Sequence, residues 1–431
     1  MITAEPFDRT LVAPGLLEAD LEAIADELGT PLFLYDEDEL RRRCREYVAE
    51  LGDDAVAYAG KAFLCTAMAR LVAEEGLHLD VATGGELHVA RNADFPPERI
   101  VMHGNNKSVD ELVAALDAGV GRIVVDSFDE LDRLESLLDE RVAASPQPVL
   151  VRVTPGVEAH THEFIETGTE ASKFGFTVTD GVALAAATRV AESERLHLAG
   201  LHCHIGSQIE RLDAYARAIQ IVIGVAAEVE RGTGQTIDEL NVGGGLGARY
   251  LADDPTLSVA EYARTLREAL EGSVRTSGLS VRPALRVEPG RSIAAPSAVT
   301  LYRVGTIKEI PGIGTYVAVD GGMSDNPRPV LYGAGYEAYL PARIDEPRPL
   351  RCNVVGKHCE QGDVIVQGAQ LPAGVQVGDL LATPTTGAYG YAMASNYNKV
   401  PRPAVAFLRD GEARVVVRRE TPEDLVRLDT P

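Results

Sequence analysis

Between residues 56 and 287, short apolar runs return at 56–59, 77–81, 100–102, 122–125, 149–153, 198–201, 239–242 and 284–287, each followed by a stretch of helix length. The intervening segments, at 66–75, 85–92, 109–118, 128–138, 181–190, 212–231 and 259–273, carry apolar residues at the spacing of amphipathic helices. Strands alternating with helices predict a parallel sheet, and eight of them predict a (β/α)8 TIM barrel, with a doubly wound sheet left open by the pattern alone. From about residue 297 the pattern changes to β-branched runs separated by Pro and Gly, at 299–304, 316–319, 363–366 and 413–417, which predicts a second, mostly antiparallel β domain. Before the barrel, 31–35 reads as a strand and Asp36 as the cap of a helix ending near Leu51. The expected division is a barrel at 37–296 and a β domain built from 1–36 together with 297–431, in a chain of 431 residues that is long enough for two cores.

Composition narrows the function. A net charge of −24 argues against nucleic acid and anionic membrane surfaces, both of which need concentrated Lys and Arg. No apolar run has the length of a membrane span, and the first residues lack the regions of a signal peptide, so a cytoplasmic protein is expected. The five cysteines are scattered and form no CxxC pair, which suggests neither a disulfide framework nor a cysteine zinc site.

In a barrel, the residues just beyond the strands share one mouth. Here they are Lys61, Asp80, His103 with Asn105, Arg152, the run His202-Cys-His204-Ile-Gly-Ser207-Gln208, the glycines 243–247, and Glu288-Pro289-Gly290-Arg291. A lysine buried after a strand loses its charge readily and becomes a nucleophile toward carbonyls. The glycine run serves equally well as a phosphate cradle or as a tight βα connection. The pair His202-x-His204 suits either a structural role or zinc, although no further ligand cluster accompanies it in sequence. Glu288 is either a solvated turn acid or, if buried, a partner for a protonated ring nitrogen. Further on, Cys359-Glu360 places a thiol beside an acid, and Gly387-Ala-Tyr389 places a phenol among glycines.

Taken together, Tyr58-Ala-Gly-Lys61-Ala, His202-Cys-His204-Ile-Gly-Ser-Gln208, Gly243-Gly-Gly-Leu-Gly247, Glu288-Pro-Gly-Arg291, Cys359-Glu360 and Gly387-Ala-Tyr389-Gly-Tyr resemble the diaminopimelate decarboxylases, a pyridoxal-phosphate family with an alanine-racemase-like barrel and a β domain. The resemblance implies that Lys61 carries pyridoxal 5'-phosphate, that His204 stacks on its ring, and that Glu288 pairs with the ring nitrogen. It assigns Asp80, Ser207, Gly244, Gly245, Pro289, Gly290, Arg291 and Tyr389 to the rest of the cofactor site. It gives substrate contacts to Arg291, Arg328, Tyr332, Glu360 and Tyr389. Cys359 is the implied proton donor, reaching the other subunit's site in a homodimer, with no metal. The implied reaction converts meso-2,6-diaminopimelate to L-lysine and carbon dioxide, the last step of lysine biosynthesis. The alternatives are a decarboxylase of ornithine or arginine type, a metal-dependent barrel hydrolase using His202 and His204, or an inactive regulatory homologue. One departure from the family pattern is Gln361, where a serine usually follows Cys-Glu.

Overall fold

A computed structural model describes residues 5–141, 145–157 and 172–430. The chain forms two compact units, one made of 44–247 and 257–290, the other of 1–43, 248–256 and 291–431. Strand β1 (Leu32–Asp36) belongs to the second unit, and the next nine strands build the first.

In that first unit β2 (Ala57–Ala59), β3 (His78–Val81), β4 (Ile100–Met102), β5 (Arg122–Val125), β6 (Gln147–Thr154), β8 (Leu196–His202), β9 (Glu239–Asn241) and β10 (Ala284–Arg286) lie parallel in that order. The short β7 (Phe176–Thr177) adds to β6 off this path, an element without a sequence signal. The sheet closes on itself. Ala57 N–H donates to the Val287 carbonyl at 2.9 Å, Val287 N–H to the Ala55 carbonyl at 2.8 Å, and Ala59 N–H to the Pro289 carbonyl at 3.0 Å, so the first and last strands are joined. The doubly wound alternative is thereby excluded. Strands this short suffice because a barrel buries both faces, and Val101, Val124, Leu150 and Ala199 of four neighbouring strands pack as one interior cluster. Local chemistry sets the helix limits. Helix Val109–Ala118 opens on a capping box between Ser108 and Glu111 and stops at Gly119, which takes φ 71°. Helix Val259–Ser277 runs a turn beyond the expected end because its stop signal is Gly278.

In the second unit β1 pairs antiparallel with β11 (Ala298–Ile310) and parallel with β16 (Ala404–Arg409). With β12 (Gly314–Val319), β13 (Leu350–Val355), β14 (Val364–Leu371) and β17 (Glu412–Val417) the strand order is β14-β13-β12-β11-β1-β16-β17, and β15 (Leu380–Pro384) pairs with β11. Five of its seven pairings are antiparallel. Its core joins Leu32, Leu34, Val299, Leu301, Ala404 and Ala406 of the central strands to Leu16, Leu21 and Ile24 of the N-terminal helices. Asp36 does cap the helix Glu37–Leu51: its Oδ1 accepts Glu39 N–H at 3.0 Å. No helix among the described residues is long and apolar enough to cross a membrane.

Candidate active site

Lys61 sits in the turn Gly60–Ala62, directly after β2. Gly60 and Ala62 are buried, but the lysine is exposed, so the expectation of a buried amine fails. The strand is only three residues long, and the chain turns before the side chain is enclosed. The ammonium nonetheless belongs to the barrel's strand-end cluster, since its charge acts on the ionisation of Asp80, Glu86 and His204.

The centre of that cluster is Glu288, which follows β10 and is buried. Its Oε1 accepts from His103 Nε2 at 2.8 Å and from Asn241 Nδ2 at 2.8 Å, while Oε2 accepts from His202 Nε2 at 3.0 Å. Three donors from the ends of β4, β8 and β9 thus hold one carboxylate, so the solvated-turn reading does not apply. A carboxylate has about four acceptor positions, and these bonds take both on Oε1 and one on Oε2. Burial alone would raise the Glu288 pKa, but His103 and His202 outweigh it and hold the acid well below the usual carboxylate range. Asp80, buried 3.8 Å from His103, behaves oppositely: burial pushes it up to about 6, with His103 only partly compensating.

His204 lies outside this trio. Its Nδ1 accepts Gly244 N–H at 3.3 Å, which fixes the ring plane. Loss of solvation, then the charges of Lys61, Arg152 and His202, lower its pKa well below the ordinary histidine value, so the imidazole is neutral. The glycine run is dictated by close packing: a Cβ on Gly244 would lie 2.1 Å from the Glu288 carbonyl oxygen, and one on Gly245, at φ 107°, would lie 2.3 Å from that of Gly206. The Gly245 carbonyl in turn accepts Ile209 N–H at 2.8 Å, tying the loop that carries Ser207 to the glycines. Among the described residues, the set whose donor atoms approach within 4.8 Å of one another is His103, His202 and Glu288, and His204, which the zinc alternative pairs with His202, is not in it.

The second unit holds a different cluster. Arg291, next in the chain after Gly290, is buried and donates through Nη1 to Tyr250 Oη at 2.7 Å, with its guanidinium 4.7 Å from the Tyr389 ring centre. Arg328 opens the short helix Arg328–Tyr332, donates to Tyr336 Oη at 2.5 Å and lies 4.5 Å over the Tyr250 ring. Among the described residues its partners are phenols, with no carboxylate in ion-pair range. Burial raises the Tyr336 pKa to about 12 despite Arg328, whereas at Tyr250 the two guanidiniums outweigh burial and lower it. Tyr332 is half-buried at the far end of the same helix. Cys359 and Glu360 are exposed on the turn between β13 and β14, where Cys359 N–H donates to Asn398 Oδ1 at 3.1 Å and Tyr397 Oη to Glu360 Oε2 at 3.5 Å.

The family model for the pyridoxal binding domain of pyridoxal-dependent decarboxylases matches residues 37–295. The chain is 51% identical over 418 residues to the diaminopimelate decarboxylase of Mycobacterium tuberculosis, covering 95% of this chain and 93% of that one. The chain belongs to the diaminopimelate decarboxylase family. The enzyme of that name from Bacillus subtilis is 47% identical over 95% of this chain and 93% of its own. Among solved structures, the Helicobacter pylori diaminopimelate decarboxylase complexed with L-lysine superposes with a TM-score of 0.86 at 31% identity, covering 95% of this chain and 99% of that one. The M. jannaschii diaminopimelate decarboxylase in complex with L-lysine gives 0.87 at 30% identity over 100% and 99%.

Diaminopimelate decarboxylases are pyridoxal-dependent, and the barrel unit fits that cofactor. An ionised Glu288 keeps one acceptor position on Oε2 for a protonated ring nitrogen, and neighbouring His202 Nδ1 is buried with no hydrogen-bond partner among the described residues. The barrel brings Lys61, Asp80, His204, Ser207, Gly244, Gly245, Glu288, Pro289 and Gly290 to its strand ends. The other unit gathers Arg291 and Arg328 around Tyr250, with the Tyr389 ring against Arg291, while the bonds of Cys359 and Glu360 run to Asn398 and Tyr397. Asn241, Tyr250 and Tyr336 escape the sequence reading. Asn241 is the last residue of β9, a position that the strand-end rule itself singles out.

Proposed function

We propose that this chain decarboxylates meso-2,6-diaminopimelate to L-lysine and carbon dioxide. The observation that carries the reading is Arg328: a buried guanidinium held by two phenols, with no acid among the described residues, suits a guest that brings a carboxylate. Diaminopimelate retains a distal carboxylate that ornithine and lysine lack.

Lys61 would supply the amine that holds the cofactor, and His204 would stack on its ring. Ser207, Gly244, Gly245 and the turn at Gly290-Arg291 hold the phosphate. Pyridoxal 5'-phosphate, when bound, supplies the sink for the electron pair left as the bond to the departing carboxylate breaks. Glu288 keeps a proton on the ring nitrogen, which its ionised state and its three donors equip it to do. Tyr389 contacts both cofactor and substrate, Glu360 takes the distal ammonium, and Tyr332 lines the substrate site. Cys359 transfers its Sγ proton to the α-carbon, and the thiolate regains a proton from solvent.

Cys359 acts in the site of a second copy in a homodimer. Its exposure, with Glu360 beside it and Tyr397 also exposed, supports that assignment.

Incubating the protein with pyridoxal phosphate and diaminopimelate, ornithine, arginine or lysine, and weighing the amine product, tests the substrate. A preference for ornithine overturns it. Mixing Lys61→Ala with Cys359→Ala protein tests site sharing, because about a quarter of the sites in randomly re-formed dimers then combine two intact halves. No recovery despite demonstrated subunit exchange refutes it.

A further inference from the structure

The turn that carries Cys359 is held from beneath by a buried polar network. Asp363 accepts Met323 N–H through Oδ1 at 2.6 Å and His358 N–H through Oδ2 at 2.8 Å. Its backbone also closes the turn, since its carbonyl accepts Gly356 N–H at 3.0 Å and its own N–H donates to the Glu360 carbonyl at 3.1 Å. The carboxylate therefore clasps two loops, 321–326 and 356–363. The loops are built around it: a Cβ on Gly322 would lie 2.7 Å from its oxygens and one on Gly356 2.2 Å. A second tie runs beside the first. His358 Nε2 lies 2.8 Å from Ser324 Oγ, and Ser324 Oγ lies 3.3 Å from Asp325 Oδ1. All four side chains are buried, although Cys359, the residue after His358, is exposed. On its outer side the His358 ring packs on Tyr397, with centroids 5.4 Å apart, and Tyr397 is the residue that reaches Glu360.

This arrangement costs several buried polar groups, more than a surface turn between two strands needs in order to form. A hairpin of this kind closes with backbone bonds alone. What the extra bonds add is a fixed direction for the two residues at the tip. They also tie that turn to the loop that leads into Arg328, four residues beyond Ser324.

We infer that Asp363, Ser324 and His358 are positioning residues that aim the Cys359 thiol for proton transfer to the substrate carbon. The inference rests on the reading of Cys359 as proton donor. None of the three touches the reacting atoms. Ser324 fixes the His358 ring, His358 fixes the backbone on which Cys359 stands, and Asp363 fixes the base of the turn.

The test compares Ser324→Ala, Asp363→Asn and Cys359→Ala holoenzymes. Ser324→Ala removes one hydroxyl from the network and leaves both backbone clasps of Asp363 in place, so it is the decisive variant. A donor displaced by a fraction of an ångström slows proton transfer without weakening binding. Ser324→Ala should therefore lose about tenfold in kcat with KM within about twofold of the parent. Its solvent deuterium isotope effect on kcat should rise, and the rate at which iodoacetamide alkylates Cys359 should change, with the cofactor absorbance preserved. Asp363→Asn, which sets an amide donor against a backbone N–H, should show a larger loss of the same kind. A purely structural role would lower the melting temperature without raising the isotope effect. Parental kcat and isotope effect in Ser324→Ala, with Cys359→Ala impaired, overturn the inference and leave the donor assignment intact. Parental activity in Cys359→Ala overturns the donor assignment, and the inference falls with it.

Discussion

Glu288 in the barrel and Arg328 in the β unit are both buried charges, and they are satisfied in opposite ways. Glu288 meets three donors from three strand ends at 2.8 to 3.0 Å. Arg328 meets one phenol oxygen and two aromatic faces, and no opposite charge among the described residues. A buried ion costs several kcal/mol unless paired and hydrogen-bonded. The barrel meets that cost within the protein, which suits a group that must hold one protonation state through every turnover. The β unit leaves part of it standing, which suits a group whose counter-ion arrives with each substrate. On the proposed function, the first arrangement suits chemistry common to a cofactor class, and the second suits the choice of substrate.

The sharpest way to break this contrast is Glu288→Gln. The amide would place a donor against His202, His103 or Asn241 and could no longer keep the ring nitrogen protonated, so kcat should fall on the order of a thousandfold. Borohydride should still fix a pyridoxyl group to Lys61, as peptide mapping would show, and labelling of Lys107 or Lys173 instead would undo the whole assignment. Arg328→Ala should lower kcat/KM for diaminopimelate by about a hundredfold while leaving any slow reaction of lysine almost unchanged, because only the first substrate presents a carboxylate to it. Equal losses on both substrates would make Arg328 a structural residue and erase the distinction.

A third buried charge sharpens the contrast through pH. Burial pushes the Asp325 carboxyl up to about 7, the bonds from Gly322 and Ser324 offsetting only part of it, so the folded protein holds this proton far more tightly than the unfolded chain. Stability from that source is complete below the ordinary carboxylate value of 3.8 and is lost as pH rises through 7. Asp325→Asn should remove this loss, flattening the change in unfolding free energy between pH 5 and pH 8 by roughly 2 to 3 kcal/mol in denaturant titrations. An unchanged slope would show that Asp325 is ionised throughout. The smallest effect is expected from His103→Gln. Asn241 and His202 still hold Glu288, and the apoprotein should lose about tenfold in pyridoxal phosphate affinity by absorbance titration.

The barrel was readable because strand-end position is a consequence of topology: once eight strands are placed, Lys61, Asp80, His202, His204 and Glu288 must share one end. Exposure was not readable in the same way. Lys61 follows an apolar run, but whether a side chain is enclosed depends on where the chain turns, and it turns at once. Asn241 was missed because its role is visible only when β4, β8 and β9 are brought beside β10. Tyr250 and Tyr336 were missed for a different reason: neither lies in a motif, and the arginines they hold, Arg291 at 41 residues from Tyr250 and Arg328 at 8 residues from Tyr336, show no spacing that marks the pairs. In the β unit, β13, β15 and β16 passed unnoticed. β15 is a buried run of five residues ending in Pro384, without the alternation that marks a half-buried strand.

The threading of the β unit limits how this chain can be cut. Its central strand, β1, comes from the N-terminus, its flanking strands β11 and β16 come from the C-terminal third, and the excursion 248–256, with Tyr250, enters it from the middle of the barrel sequence. No single scission releases the two units as separate folding modules. A fragment trimmed to residues 37–295, the extent matched by the family model, lacks β1 and strands the excursion without its partners, leaving Tyr250 and Arg291 bereft of Arg328, Tyr336 and Tyr389. Fragment libraries, domain grafts and permuted termini therefore have to respect four crossings rather than one.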